Sequence, residues 1–397
     1  MSEPIRVTVE EIRLQNFRAF ENARLQLSDL TFLVGRNGAG KSSLLDAVDL
    51  LRQATSESLE NALESRGGLA KVKRARSDRG PKAPMGLAIV LSMTLLGERK
   101  VRVLYGFEVD NESTNGSLVR EKLLRDADID FDRKGQEFTS KSSTGVSPPV
   151  DNLVLPLVAR SDSLWASVLD TIRNLRAYEL SPDLMAAAPK IGKSAYLAMD
   201  GANAGDVLRT IHGTPAHRWI VERMSLVADG LRDISAEALM GRRVLQFTQA
   251  QGASESELKF DATQVSQGTL RSLGILLALR QSPTPSLVLL DEIENSIHPG
   301  ALSVILEAAL ASTDNARVVL TTHSPEVLSH PSVVAERVRI VEWCDGASNI
   351  FRLSPEAAAA VNPIDTVGWM LRSNALWPSS TPERFVGNLL ELASAPQ

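Results

Sequence analysis

The chain has 397 residues, a formal net charge of −5 and one cysteine, Cys344. This length exceeds one simple core and predicts two lobes, while the nearly balanced charge excludes a whole-molecule field for nucleic acid or an anionic membrane. A lone cysteine excludes an intramolecular disulfide and a multi-cysteine metal site; with no signal-peptide core after Met1 and no apolar run near the ~20 residues that span a bilayer, the expectation is a cytoplasmic protein without membrane contact.

From Ile5 to Val34 the apolar spacing predicts short strands, with Ala23, Leu25 and Leu27 on one face of the second and Leu30, Phe32 and Val34 on one face of the third. The third runs into Gly35-Arg36-Asn37-Gly38-Ala39-Gly40-Lys41-Ser42, which fits the phosphate-binding P-loop at every fixed position, and Ser43 to Val48 then reads as a helix. Glycines let this backbone curl so that its N–H groups face an anion, Lys41 reaches outer phosphates, and the Ser42 hydroxyl helps to hold Mg²⁺. Gly35, Arg36, Asn37, Gly38, Ala39, Gly40, Lys41, Ser42 and Ser43 are therefore candidate nucleotide-binding residues. A glycine turn before an ordinary helix is the plainer alternative.

Arg66, Lys71, Lys73, Arg74, Arg76, Arg79 and Lys82 follow, interrupted by Asp78 and bent at Gly67-Gly68 and Gly80-Pro81. Such a basic loop can contact the duplex phosphate backbone, or it can be an ordinary solvated loop. Met85–Leu96, Val101–Val109 and Leu118–Leu124 read as strands of an antiparallel subsheet, turned at Gly97-Glu98 and Asn111-Glu112-Ser113. Residues 134–149, poor in apolar side chains, read as a flexible loop. From Asp151 to Gly241 helical spacing dominates, as in Leu164, Val168, Leu169, Ile172, Leu175 and then Trp219, Met224, Leu226, Val227, Leu231. Strands return at Val244–Thr248 and Glu257–Phe260, and 286–341 alternates strand and helix.

Chemistry-bearing residues stand at the ends of these later elements. Leu287-Val288-Leu289-Leu290-Asp291-Glu292 is an apolar run ending in two carboxylates, as in a buried parallel strand that opens onto a site. Asp291 is placed to hold Mg²⁺ and Glu292 to act as general base toward an attacking water; two solvated acids capping a core strand is the bland reading. Val318 to Thr322 is a similar strand leading to His323, whose imidazole can donate to a phosphate oxygen, while Ser324-Pro325 makes a helix cap in any case. Ser266-Gln267-Gly268 opens an apolar helix, Leu273–Leu279, as an anion-facing cap.

Taken in order, the P-loop, Ser266-Gln267-Gly268, Leu289-Leu290-Asp291-Glu292, the loop Glu294-Asn295-Ser296-Ile297-His298-Pro299 and Thr322-His323-Ser324-Pro325 resemble an ABC-type ATPase head. About 250 residues separate Lys41 from Asp291, far above an ordinary connection, and Ile12 to Phe20 looks like the opening of the RecF and SMC-like branch. The chain is most similar to the stand-alone AAA-21 group of that branch, an OLD-like head without a nuclease domain, since only about 55 residues follow Val341. The resemblance implies an α/β fold: an ABC-type P-loop NTPase head with an antiparallel β subsheet and an inserted helical lobe. Residues 1–130 and 242–343 would be the two halves of the head, 151–241 the helical lobe and 344–397 a C-terminal appendix.

The resemblance also implies a homodimer closed around two ATP molecules with Mg²⁺, each between one subunit's P-loop and the other's signature serine. Ser266 and Gly268 would then bind nucleotide in trans, Glu292 and His323 would be catalytic, Ser42 and Asp291 would hold the metal, and Arg18 would approach the nucleotide. The middle residue of the signature, Gln267, departs from the acid or glycine common in relatives. The output of such a switch is double-stranded DNA binding in repair, or control of an effector protein, a nuclease or toxin, in anti-phage defence. A scaffold that merely keeps ATP as a structural ligand is the non-enzyme alternative. In the tail, Ile350–Leu353 reads as strand, Pro355–Val361 and Pro382–Leu392 as helices, and Trp343, Trp369 and Trp377 as packing residues.

Overall fold

The computed structural model describes residues 6–75, 83–94, 99–110, 118–126, 128–142, 146–149, 152–192, 194–251, 256–362 and 364–392. Ile5, Asp151, the turns at Gly97-Glu98 and Asn111 to Ser113, and Arg76, Asp78, Arg79, Gly80, Pro81 and Lys82 lie outside them.

Alternating apolar strands merge into one thirteen-stranded sheet. Its spatial order is Glu137–Ser140, Asp128–Lys134, Leu118–Arg125, Lys100–Val109, Met85–Thr94, Arg6–Phe17, Phe20–Gln26, Ala347–Phe351, Val338–Cys344, Leu30–Val34, Arg317–Thr322, Leu287–Leu290 and Leu175–Tyr178. From Glu137–Ser140 to Phe20–Gln26 every pairing is antiparallel, whereas Val338–Cys344, Leu30–Val34, Arg317–Thr322, Leu287–Leu290 and Leu175–Tyr178 run parallel. The expected antiparallel subsheet is thus continuous with the parallel core.

Parallel strands are buried on both faces, which explains their unbroken apolar runs. Leu33, Leu287, Leu289 and Val319 point into a core that also holds Leu44, Val48 and Leu51 of the helix Lys41–Ser56. Leu30, Phe32, Val34, Val288, Leu290 and Leu320 point the other way, against Leu273, Leu276 and Leu277 of the helix Gln267–Arg280. One sheet therefore separates the P-loop helix from the signature helix. A third cluster joins Ala88, Val90 and Leu104 to Phe385, Leu389 and Leu390.

Several expectations need correction. Within 134–149, Glu137–Ser140 is a strand, because Gly135 at φ 57° turns a hairpin and Phe138 stacks near Phe131. Between 151 and 241 the helices Leu155–Val158, Ser163–Arg173, Pro182–Ala186, Ala204–Ile211 and Pro215–Val227 are joined by strand as well. Leu175 begins the sheet's edge strand, a run too short for periodicity to separate from helix. Leu231 opens a separate three-stranded sheet with Arg242–Ala250 and Glu257–Asp261, after the helix ends at Val227 and Gly230 at φ 76° turns the chain into the strand. Residues 382–392 are irregular and lie under the antiparallel wing, and Ala347–Phe351 is an interior strand of the main sheet. Among the described residues no helix is long and apolar enough to cross a membrane.

Candidate nucleotide site

The P-loop leaves the strand Leu30–Val34 and curls onto the first turn of Lys41–Ser56. Gly40 carries the sharpest bend, at φ 111°, where an L side chain is strained and a Cβ would meet Ser348 Oγ at 2.6 Å. That serine donates to the Ala39 carbonyl at 2.6 Å, so the hairpin following Val338–Cys344 braces the loop from outside. Lys41 is 6% exposed and donates to the Gly35 and Arg36 carbonyls at 2.7 and 3.2 Å. Burial pushes its pKa down, and Asp291, Glu292 and Glu294 nearby push back. Arg36, Asn37, Gly38 and Ser42 are exposed.

Across the sheet the two-carboxylate strand ends beside this loop. The Ser42 hydroxyl lies 3.3 Å from Asp291 Oδ2, although 249 residues separate them. A hydroxyl and a carboxylate oxygen side by side at the mouth of a phosphate loop suit Mg²⁺, which takes few protein ligands and completes its shell with water and phosphate oxygens. Among the described residues no group of three or more His, Cys, Asp or Glu side chains forms a protein-only metal cage.

Glu292 adopts a left-handed conformation, φ 44°, uncommon for a residue with a Cβ. The turn is held by Thr321, fully buried on the neighbouring strand, whose hydroxyl accepts from Glu292 N at 2.8 Å and donates to Asp291 Oδ1. Glu294 reaches back to the next strand: its Oε1 accepts from His323 N at 2.8 Å and lies 3.2 Å from His323 Nδ1. The imidazole itself is half exposed, and Ser324 caps the helix Pro325–Leu328 that follows. Sequence reasoning gave Thr321 and Glu294 no role of their own, Glu294 standing only as the start of the loop 294–299; the available signal for Thr321 was a polar Thr321-Thr322 pair closing an apolar strand.

The P-loop from Gly35 to Ala39, His323, Val341, Trp343, Leu371 and Asn374 border a cavity of about 600 Å³. The signature segment borders a different one, about 610 Å³, with Ser181, Asp183, Gln267, Arg271, Asn295 and Ser296. Ser266 is exposed and caps Gln267–Arg280, accepting from Thr269 N at 3.1 Å. Gly268 is required by close approach, since a Cβ there would stand 2.5 Å from the Ser296 carbonyl. Loop 294–298 is thereby packed onto the signature turn.

Other candidates are placed elsewhere. Arg18 pairs with Asp46, two side-chain contacts of 2.7 and 2.8 Å, and so braces the P-loop helix rather than the loop. Arg66 is held by Asp46 and Asp49, Lys73 by Asp110 at 2.7 Å, and Arg74 by Glu21 at 3.4 Å and the Gly346 carbonyl at 2.7 Å. The described part of the basic cluster is largely an internal ion-pair network, with Lys71 exposed. Trp343, Trp369 and Trp377 are 58%, 49% and 59% exposed, which overturns their reading as packing residues.

Among curated proteins none matches the chain. Among solved structures it is similar to an SMC head bound to the C-winged helix domain of ScpA, at 13% identity and TM-score 0.54, covering 89% of this chain and 100% of that one. It is likewise similar to the Smc head with an extended coiled coil, bound to the C-terminal domain of ScpA, from Pyrococcus furiosus, at 12% identity, TM-score 0.53, and 89% and 98% coverage. These likenesses establish the expected fold, a P-loop head of the SMC type. The family model described as "AAA domain, putative AbiEii toxin, Type IV TA system" matches residues 30–329, which contain Gly35 to Ser42, Ser266 to Gly268, the two carboxylates and His323; the chain belongs to this AAA_21 family.

Proposed function

We propose that this chain binds ATP with Mg²⁺, hydrolyses it, and does so as a dimer that closes on two nucleotides and thereby controls a partner protein. The observation that carries the reading is the meeting of Ser42 and Asp291 at 3.3 Å, with Lys41 on one side and Glu292 and His323 at adjacent strand ends. Bound Mg²⁺, held by Ser42 and Asp291, would neutralise charge on the phosphate oxygens. Lys41 moves its ammonium from the loop carbonyls to the outer phosphates. Glu292 accepts the proton of the attacking water, and His323, steadied by Glu294, donates to a phosphate oxygen.

Closure by two copies is supported by the separation of the two cavities. Gln267 and the P-loop border different spaces, so the exposed Ser266 is free to serve a nucleotide held by another copy. A protein partner is favoured over DNA for two reasons. Arg66, Lys73 and Arg74 are already engaged by acidic side chains, and the family description names a toxin system. The related SMC heads are themselves seen bound to ScpA domains.

The test is the solution mass of Glu292→Gln with and without Mg-ATP, repeated with duplex DNA. An ATP-dependent dimer indifferent to DNA is the expected outcome. A dimer that retains DNA in a salt-sensitive manner would replace the partner reading with a DNA clamp, and no change with ATP would overturn the switch.

A further inference from the structure

A charged side chain in the buried middle of a helix marks a second feature of this site. Gln267–Arg280 buries Leu270 and every residue from Ser272 to Leu279, and among them lies Arg271, 5% exposed. Its Nη1 donates to the Leu180 carbonyl at 2.6 Å, and its Nη2 donates to the carbonyls of Asp291 and Glu292 at 2.8 and 3.0 Å. These acceptors belong to two segments. Leu180 lies just past the edge strand Leu175–Tyr178, and Asp291 and Glu292 just past its parallel neighbour Leu287–Leu290.

We propose that Arg271 is a positioning residue that couples the signature serine to the hydrolytic turn, so that a phosphate seated on Ser266 alters the aim of Glu292. The inference rests on the reading of Asp291 and Glu292 as the hydrolytic pair. Ser266 and Arg271 sit on one rigid helix, about 8 Å apart along its axis. Glu292 holds a left-handed conformation that persists only when its surroundings impose it. Thr321 fixes its N–H from one side and Arg271 fixes its carbonyl from the other.

Stability alone does not account for an arginine here. Desolvation lowers its pKa, Nε is buried without a hydrogen-bond partner, and an apolar side chain of similar length would fill the helix face without that cost. What an apolar side chain cannot do is bridge three carbonyls on two strand ends. The planar fork can, and a lysine's single ammonium can satisfy only part of the set.

The deciding experiment compares Arg271→Met and Arg271→Lys with the unaltered chain in three measurements: nucleotide affinity, turnover, and amide hydrogen exchange along residues 289–297. Arg271→Met is expected to keep ATP affinity within about 3-fold while turnover falls by about 10²-fold, the scale of a misplaced catalytic group. Exchange at 291–296 should rise while the strand Arg317–Thr322 stays protected, and Arg271→Lys should recover part of both losses. Combining Arg271→Met with Ser266→Ala should cost no more turnover than the worse single change, because both lie on one route. Unchanged exchange at 291–296 overturns the inference, as does full additivity of the pair or a loss of affinity equal to the loss of turnover. If the unaltered chain shows no turnover, the hydrolysis reading fails, and the exchange measurement still decides whether Arg271 holds the turn.

Discussion

The antiparallel wing and the parallel core each bury an arginine, and the two are satisfied differently. In the wing, Arg133 is 1% exposed and donates to the carbonyls of Gly135, Asn152 and Pro149, with the Glu121 carboxylate 3.9 Å away. Glu121 in turn accepts from the Tyr105 hydroxyl at 2.9 Å and from the backbone N–H groups of Val154 and Leu155 at 2.6 and 2.9 Å. In the core, Arg271 leaves Nε unpaired, and Glu294 keeps a buried Oε2 without a partner. In the Arg133–Glu121 cluster no buried side-chain atom is left without a partner, as suits charges that hold an architecture together, where an orphaned valence only costs stability. Arg271 and Glu294, beside the candidate site, each keep an unused valence and converge on the ends of adjacent strands, as groups kept for a ligand or a moving turn would.

This contrast can be broken or sharpened by substitution. The largest expected effect is at Glu292→Gln, which removes the general base and should slow turnover by about 10³-fold while ATP still binds; a steady-state rate beside a fluorescent-nucleotide titration measures both, and wild-type turnover would remove Glu292 from the mechanism. Glu121→Leu should be costly in a different currency. Stripped of the carboxylate, the Tyr105 hydroxyl and two N–H groups lose their acceptor, and stability should fall by about 3 kcal/mol in a denaturant titration. Activity per folded molecule should stay unchanged, and a selective loss of turnover would place the wing in the mechanism. Lys41→Ala should weaken ATP binding by about 10²-fold, the scale of charge-assisted bonds to phosphate, with little change in the unfolding midpoint. The smallest effect is expected at Trp343→Ala, within about 0.5 kcal/mol of wild-type stability, because the indole is 58% exposed; a large destabilisation would restore it as a packing residue.

The parallel strands were legible because burial on both faces writes an unbroken apolar run, and because Gly35 to Ser42 has few uses other than holding phosphate. Asp291, Glu292 and His323 were legible for the same reason, as polar residues where such runs stop. The edge strand Leu175–Tyr178 was not, since a short apolar stretch satisfies helix and strand alike. The tail misled in two ways. Residues 382–392 carry a helix-like pattern but pack irregularly against Ala88, Val90 and Leu104, and three tryptophans expected in a core lie at the surface. The basic cluster misled by omission, since its acidic partners Asp46, Asp49, Asp110 and Glu21 lie elsewhere in the chain.

By itself, the sequence determined the P-loop pattern of Gly35 to Ser42, the chain order of the motifs and the kind of head they belong to, because each of these is local chemistry at fixed spacing. Only the tertiary structure decided which residues meet. It brought Ser42 to Asp291, set Thr321 and Arg271 on either side of Glu292, and kept the signature in a cavity apart from the P-loop. Those relations arise from strand order and from the faces on which two helices cover one sheet, and period and composition carry no information about which distant strands become neighbours.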